Sequence, residues 1–158
     1  MEPDGELALS NAGQLELLRA FQQDGAALRL VVRGASMSPF IRDLDALTVG
    51  PLNGCRPRIG DVFAVALNDP ERLVIHRMVG RHRGGLLVRG DACLRPDGVV
   101  PPAGVLGRVV RVEREGGVVR LGTEAGAAGG AVIATLSRSG ALVLGRALWR
   151  SLRRTARR

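Results

Sequence analysis

Between residues 28 and 121, Gly, Pro and Asp cut the sequence into seven short apolar runs, and that rhythm limits what the chain can become. The runs span residues 28–33, 46–49, 61–66, 73–79, 86–89, 106–113 and 117–121. They are short and rich in Val, Ile and Leu, so the pattern predicts strands rather than helices. Seven short strands in roughly ninety residues argue for an all-β barrel or a pair of curled sheets. The expected fold is therefore mostly β: a compact, curled antiparallel β domain. Thirty Gly and Pro residues among 158 supply the turns this needs.

Ahead of residue 28 the pattern is helical. Ser10 can cap a helix over residues 11–23, Leu15, Leu17, Leu18 and Phe21 give it an apolar stripe, and Gly25 stands where it should stop. Beyond a loose stretch at 123–130, small apolar residues alternate with Arg. Leu144, Leu148, Trp149 and Leu152 can share one helical face, although Gly140 and Gly145 fit two shorter helices as well as one long one. The organisation read from the sequence is a helical lead (1–27), a β domain (28–121), and a linker with an Arg-rich helical tail (122–158).

Composition narrows the chemistry. All 23 basic residues are Arg, so mechanisms that need a lysine amine are excluded. Only His76 or His82 could serve as a base at neutral pH. The net charge of +8 is unevenly spread: sixteen Arg face fifteen acids through residue 137, whereas residues 138–158 hold seven Arg and no acid. That tail is expected to lie on an anionic membrane surface without crossing it, or else to dock its apolar stripe on the β body with its arginines solvated. Nucleic acid is a poorer match, because Trp149 is the one aromatic residue among those arginines. The first residues are acidic, unlike the basic start of a signal peptide. The longest uncharged run, 125–137, is too short to span a bilayer. A peripheral-membrane or cytoplasmic location is expected. Cys55 and Cys93 lack metal-ligand spacing, and neither metal nor cofactor is expected.

Three segments set a reactive polar group against an apolar strand. In Gly34-Ala35-Ser36-Met37-Ser38-Pro39, a Gly-led turn at a strand end would expose Ser36 and bring its own N–H near a developing oxyanion; the same residues also make a plain turn. In Val74-Ile75-His76-Arg77-Met78, alternation puts His76 on the face of Val74 and Met78, as a partly desolvated base or as a satisfied core histidine. His82, between Arg81 and Arg83 and before Gly84-Gly85, reads as a hairpin residue. The third segment, Arg89 to Gly98, offers Asp91 and Asp97 as turn formers or as the carboxylate that orients an imidazole.

Taken together, these segments resemble the signal peptidase family, within the wider group that includes the self-cleaving repressor peptidases. The match runs from the Gly-Ala-Ser-Met-Ser-Pro box through Asp45, Ile59-Gly60-Asp61-Val62, Val74-Ile75-His76-Arg77 and Arg89-Gly90-Asp91 with Asp97 to Leu106-Gly107-Arg108-Val109. It covers roughly residues 28–113. The resemblance implies a serine endopeptidase that cuts a peptide or precursor protein after small side chains. Ser36 would be the nucleophile, and its backbone N–H an oxyanion donor. His76 would be the base, as in the family's histidine-type members, and Asp97 the orienting carboxylate. Asp91 would support the turn beside it by bonding its own loop. Two features depart from the pattern: the family's N-terminal membrane anchor is replaced by one soluble-looking helix, and the usual Gly-Asp after the serine box is Leu44-Asp45. A self-cleaving module is disfavoured, because 27 residues ahead of the β domain are too few for a helix-turn-helix domain. A non-catalytic binding protein of the same fold is the other alternative.

Overall fold

The computed structural model describes residues 9–121 apart from residues 55, 69, 70 and 116. The first element of the described residues is α1 (Asn11–Gln23), followed by β1 (Leu28–Val31), β2 (Ala46–Gly50), β3 (Val62–Leu67), β4 (Arg72–His82), β5 (Gly85–Arg89) and β6 (Gly98–Val100). A single 3-10 turn (Pro102–Gly104) leads into β7 (Val105–Arg114) and β8 (Gly117–Arg120). Among the described residues, all eight strands belong to one sheet in the order β1-β2-β7-β3-β4-β5-β6, with β8 pairing to β7, and every pairing is antiparallel. The sheet curls into a half-barrel.

The curl has visible causes. Register shifts fall between Thr48 and Val49, between Ala64 and Val65, and between Met78 and Gly80. An extra residue at such points bends a strand and increases its twist. Where β7 passes β2, the backbones approach so closely that a Cβ on Gly107 would lie 2.5 Å from Val49 Cγ1 and 2.8 Å from the Gly50 carbonyl.

β3 lies inside the sheet and is buried on both faces. Val62, Ala64 and Ala66 join a core with Leu47, Val49, Leu106 and Val109, which α1 completes with Leu15 and Leu18. Phe63 and Val65 face the opposite way, onto Met78, Val88, Val100 and Val105. Burial of Leu15 and Leu18 contributes about 2 kcal/mol each and holds α1 to the sheet. The helix starts where Ser10 accepts a hydrogen bond from the Gly13 N–H, and Gly25 follows its end at φ 66°. Gln22 Nε2 donates to the Val105 carbonyl (3.2 Å), and Arg19 pairs with Glu71 at the surface.

The mostly-β body and the leading helix agree with the sequence expectation; β6 does not appear in it. Pro96-Asp97-Gly98 reads as turn, whereas the structure begins a three-residue strand at Gly98. The expected helical tail lies outside the described residues. Among those residues, no helix is long and apolar enough to cross a membrane.

Candidate active site

Ser36 sits in the turn that follows β1. The turn closes through Ser38 N–H to the Ala35 carbonyl (3.1 Å) and through Phe40 and Ile41 N–H to the Met37 carbonyl (both 3.1 Å), and the Ser38–Pro39 peptide is cis. Met37 and Ile41 anchor it in the core, leaving Ser36 exposed. The turn leaves β1 at Gly34, whose φ of 106° suits glycine alone and whose N–H donates to Asp43 Oδ1 (2.8 Å). Leu44, where the resemblance expects Gly, adopts that residue's left-handed backbone at φ 69°.

His76 occupies the middle of β4 opposite Phe63 and is 5% exposed. Its Nδ1 lies 2.6 Å from Asp97 Oδ2, and its Nε2 lies 3.1 Å from Ser36 Oγ. With Nδ1–H donating to Asp97, Nε2 is left to accept the Ser36 hydroxyl proton. Asp97 owes its position to the strand that the sequence concealed. Its N–H donates to the Val88 carbonyl (3.0 Å), and the next residue, Gly98, pairs with Val88 as β6 begins. The Asp97 side chain keeps 17% of its surface in water, so the carboxylate flanks the ring from a partly open side.

Asp91 behaves differently from the expectation that it bonds its own loop. It accepts two hydrogen bonds from Arg77, Nε to Oδ1 at 2.8 Å and Nη2 to Oδ2 at 2.7 Å, with both side chains buried. Arg77 Nη1 also donates to the Gly60 carbonyl (2.7 Å), and its guanidinium lies 5.8 Å from the centre of the Phe40 ring. A carboxylate 14 residues away offers the Arg77 fork a planar, bidentate partner that no backbone group in the loop matches. The pair ties β4, one residue past His76, to the loop that follows β5.

That loop reaches Ser36 directly. The Ala92 N–H donates to the Ser36 carbonyl (2.7 Å), and Cys93 N–H closes the turn on the Gly90 carbonyl (3.0 Å). Gly90 is a close-packed position beside these groups that sequence reasoning missed. A Cβ there would lie 2.7 Å from the Ser36 carbonyl oxygen, 2.9 Å from Cys93 Sγ and 3.1 Å from His76 Nε2. The signal was its place inside the Arg-Gly-Asp segment, but a lone glycine before Asp reads equally well as a turn. Burial, followed by the Asp97 charge, pushes the Cys93 thiol above its ordinary pKa, which disfavours the thiolate a cysteine nucleophile needs. His82 accepts a hydrogen bond from Gly84 N–H in the β4–β5 hairpin, at a distance from the site along the strand.

A cavity of about 250 Å³ opens beside Ser36, lined by Leu30, Val32 and Arg33 on one side and by Leu73, Val74 and Ile75 on the other. Both walls are strand edges. Val32 exchanges hydrogen bonds with the turn leading into β2 (N–H to the Asp45 carbonyl, 3.0 Å; carbonyl from Leu44 N–H, 2.8 Å), so Val31 and Arg33 face the other way by alternation. On β4, Met78 turns its N–H and carbonyl toward Asp61 and Gly60, whereas Leu73 turns both toward α1. Odd-numbered residues here therefore face away from β3. Since β5 pairs with β4 only from Arg77 onward, Ile75 presents its N–H and carbonyl to the cavity.

Comparison of the chain with protein-family models, with curated proteins and with solved structures finds no match.

Proposed function

We propose that this chain is a serine endopeptidase, with Ser36 as nucleophile, His76 as general base and Asp97 as its orienting carboxylate. The observation that carries this reading is the continuous run of hydrogen bonds Ser36 Oγ–His76 Nε2 and His76 Nδ1–Asp97 Oδ2. A base that accepts from a hydroxyl while a carboxylate fixes its tautomer is the working arrangement of acyl transfer.

In this reading Ser36 Oγ attacks a peptide carbonyl as its proton passes to His76 Nε2. The carbonyl oxygen becomes an oxyanion, stabilised by the Ser36 N–H. The tetrahedral adduct collapses when His76 returns the proton to the departing amine, leaving an acyl group on Ser36. Water, deprotonated by the same nitrogen, then releases the acid. Asp97 stabilises the imidazolium during each transfer. The two open strand edges beside Ser36 suit an extended peptide, which binds by adding a strand. The resemblance to signal peptidases supports cleavage after small side chains in a peptide or precursor protein. The concentration of arginine after residue 137 supports delivery to an anionic membrane surface.

The reading is tested by a fluorophosphonate, whose fluoride is displaced by an activated serine to leave a stable phosphonyl ester. Mass spectrometry should find the adduct on Ser36 in the native chain, forming at least 100-fold more slowly in His76→Ala. An unmodified Ser36 in the folded chain contradicts the proposal.

A further inference from the structure

One row of directly opposed residues crosses the sheet: Leu30 on β1, Leu47 on β2, Val112 on β7 and Val119 on β8. Opposed residues of an antiparallel pair share a face, so all four side chains stand on the face that α1 packs against. Leu30, Leu47 and Val112 are 9%, 0% and 6% exposed, whereas Val119 is 60% exposed. The cover stops one strand short. Among the described residues β8 pairs with β7 alone, so Val119 carries the core face out to an uncovered margin.

The chain leaves the sheet at that margin. Leu121, two residues past Val119 and on the same face, packs partly against the core, and its N–H donates to the Val110 carbonyl (2.7 Å). Residues 122–158 follow. The first of them, 122–130, are only Gly, Ala, Thr and Glu, too small or too polar to cover an apolar face. Farther on, the helical period puts Leu144, Leu148, Trp149 and Leu152 on one side and Arg146, Arg150, Arg153 and Arg157 on the other. A lone helix of this length is marginal in water, so such a stripe needs a surface to pack on. We propose that the stripe of Leu144, Leu148, Trp149 and Leu152 docks over Val119, as a second helix on the face that α1 covers. Docking buries the two apolar surfaces against each other and leaves the four arginines in water, turned outward as a basic surface of the folded body. Val118 supplies the contrast: it lies opposite Glu113 on the other face, is 50% exposed and stays outside the contact. The inference stands apart from the peptidase reading.

Trp149 reports on the contact directly, because it is the one tryptophan of the chain and tyrosine is absent. In the full chain without lipid, Trp149 emission should lie to the blue of the urea-unfolded chain, and acrylamide should quench it several times less. Val119→Asp puts a charge into the contact, so emission and quenching should both move to the values of the unfolded chain. Val118→Asp adds the same charge to the other face of the same strand and should leave both readings native. Circular dichroism and thermal unfolding show whether the body stays folded. If Val119→Asp loses its unfolding transition, Val119→Ser decides, with a smaller shift in the same direction. A native Trp149 as exposed as in urea overturns the proposal, as does protection that survives Val119→Asp in a folded chain or is lost equally in Val118→Asp. Protection that disappears on dilution assigns the cover to a second copy and overturns it too. So does protection gained only when phosphatidylglycerol vesicles are added, which places the stripe in the membrane.

Discussion

Arg77 grips Asp91 through two parallel hydrogen bonds of 2.8 and 2.7 Å, with side chains only 4% and 1% exposed. Arg77 follows His76 on β4, and Asp91 starts the loop whose Ala92 N–H holds the Ser36 carbonyl. One ion pair thus ties the strand bearing the proposed base to the turn bearing the proposed nucleophile. Removing the charge from one partner leaves the other buried and uncompensated. Asp91→Asn should therefore lower unfolding stability by about 3 kcal/mol, measured by urea denaturation.

Asp97→Asn should act the other way round. The side chain is partly exposed and its backbone bond to Val88 survives the change, so stability should fall by less than about 1 kcal/mol. An amide cannot stabilise the imidazolium and permits the wrong tautomer, so the rate of fluorophosphonate labelling should drop by roughly 100-fold or more. Equal labelling rates in the two proteins would remove Asp97 from the mechanism.

Gly90→Ala places a methyl group against the Ser36 carbonyl, Cys93 Sγ and His76 Nε2 at once. The carbonyl belongs to a turn anchored by Met37 and Ile41, so the Ser36–His76 geometry must give. Displacement of reacting groups by about 1 Å costs on the order of 100-fold in rate. Labelling should slow by that factor in a protein whose circular dichroism is unchanged.

Stability should also fall in acid for a reason away from the site. Arg114 donates from Nε to Asp45 (2.7 Å), and this side-chain bond holds the Asp45 carboxyl below its ordinary value of 3.8. Burial pushes the other way, and the Arg42 N–H (2.7 Å) adds to the lowering. Below pH 3.8 the unfolded chain takes up this proton before the folded one does. The stability Asp45 contributes is therefore complete above that pH and is lost as pH falls through the lowered native value. Urea midpoints taken from pH 5 down to pH 2 should decline, and Asp45→Asn should flatten the decline below pH 4.

The helix and most strands were legible because local signals agreed. Ser10, the leucine stripe and Gly25 mark α1 at both ends, and Gly- and Pro-bounded apolar runs mark the sheet. β6 was hidden because three residues after Pro96-Asp97 carry no periodicity; cross-strand pairing to β5 makes it a strand. Ser36, His76 and Asp97 could be named from sequence by resemblance, and the fold brings them into one hydrogen-bonded run. The Arg77–Asp91 pair was missed, since nothing local tells an aspartate in a turn that its partner is an arginine 14 residues back. Leu44 was opaque for a related reason: a leucine gives no hint of the left-handed backbone that the β1–β2 connection imposes on it. Asn11 read only as a helix-start residue, because its partner is a strand edge 62 residues on.

The central claim is that Ser36 is an activated nucleophile, and intact-mass measurement after fluorophosphonate treatment tests it most directly. The account predicts a single adduct, mapped to Ser36, that is absent from Ser36→Ala and forms at least 100-fold more slowly in His76→Ala. A folded native chain without adduct, or an adduct that persists in Ser36→Ala, would contradict it.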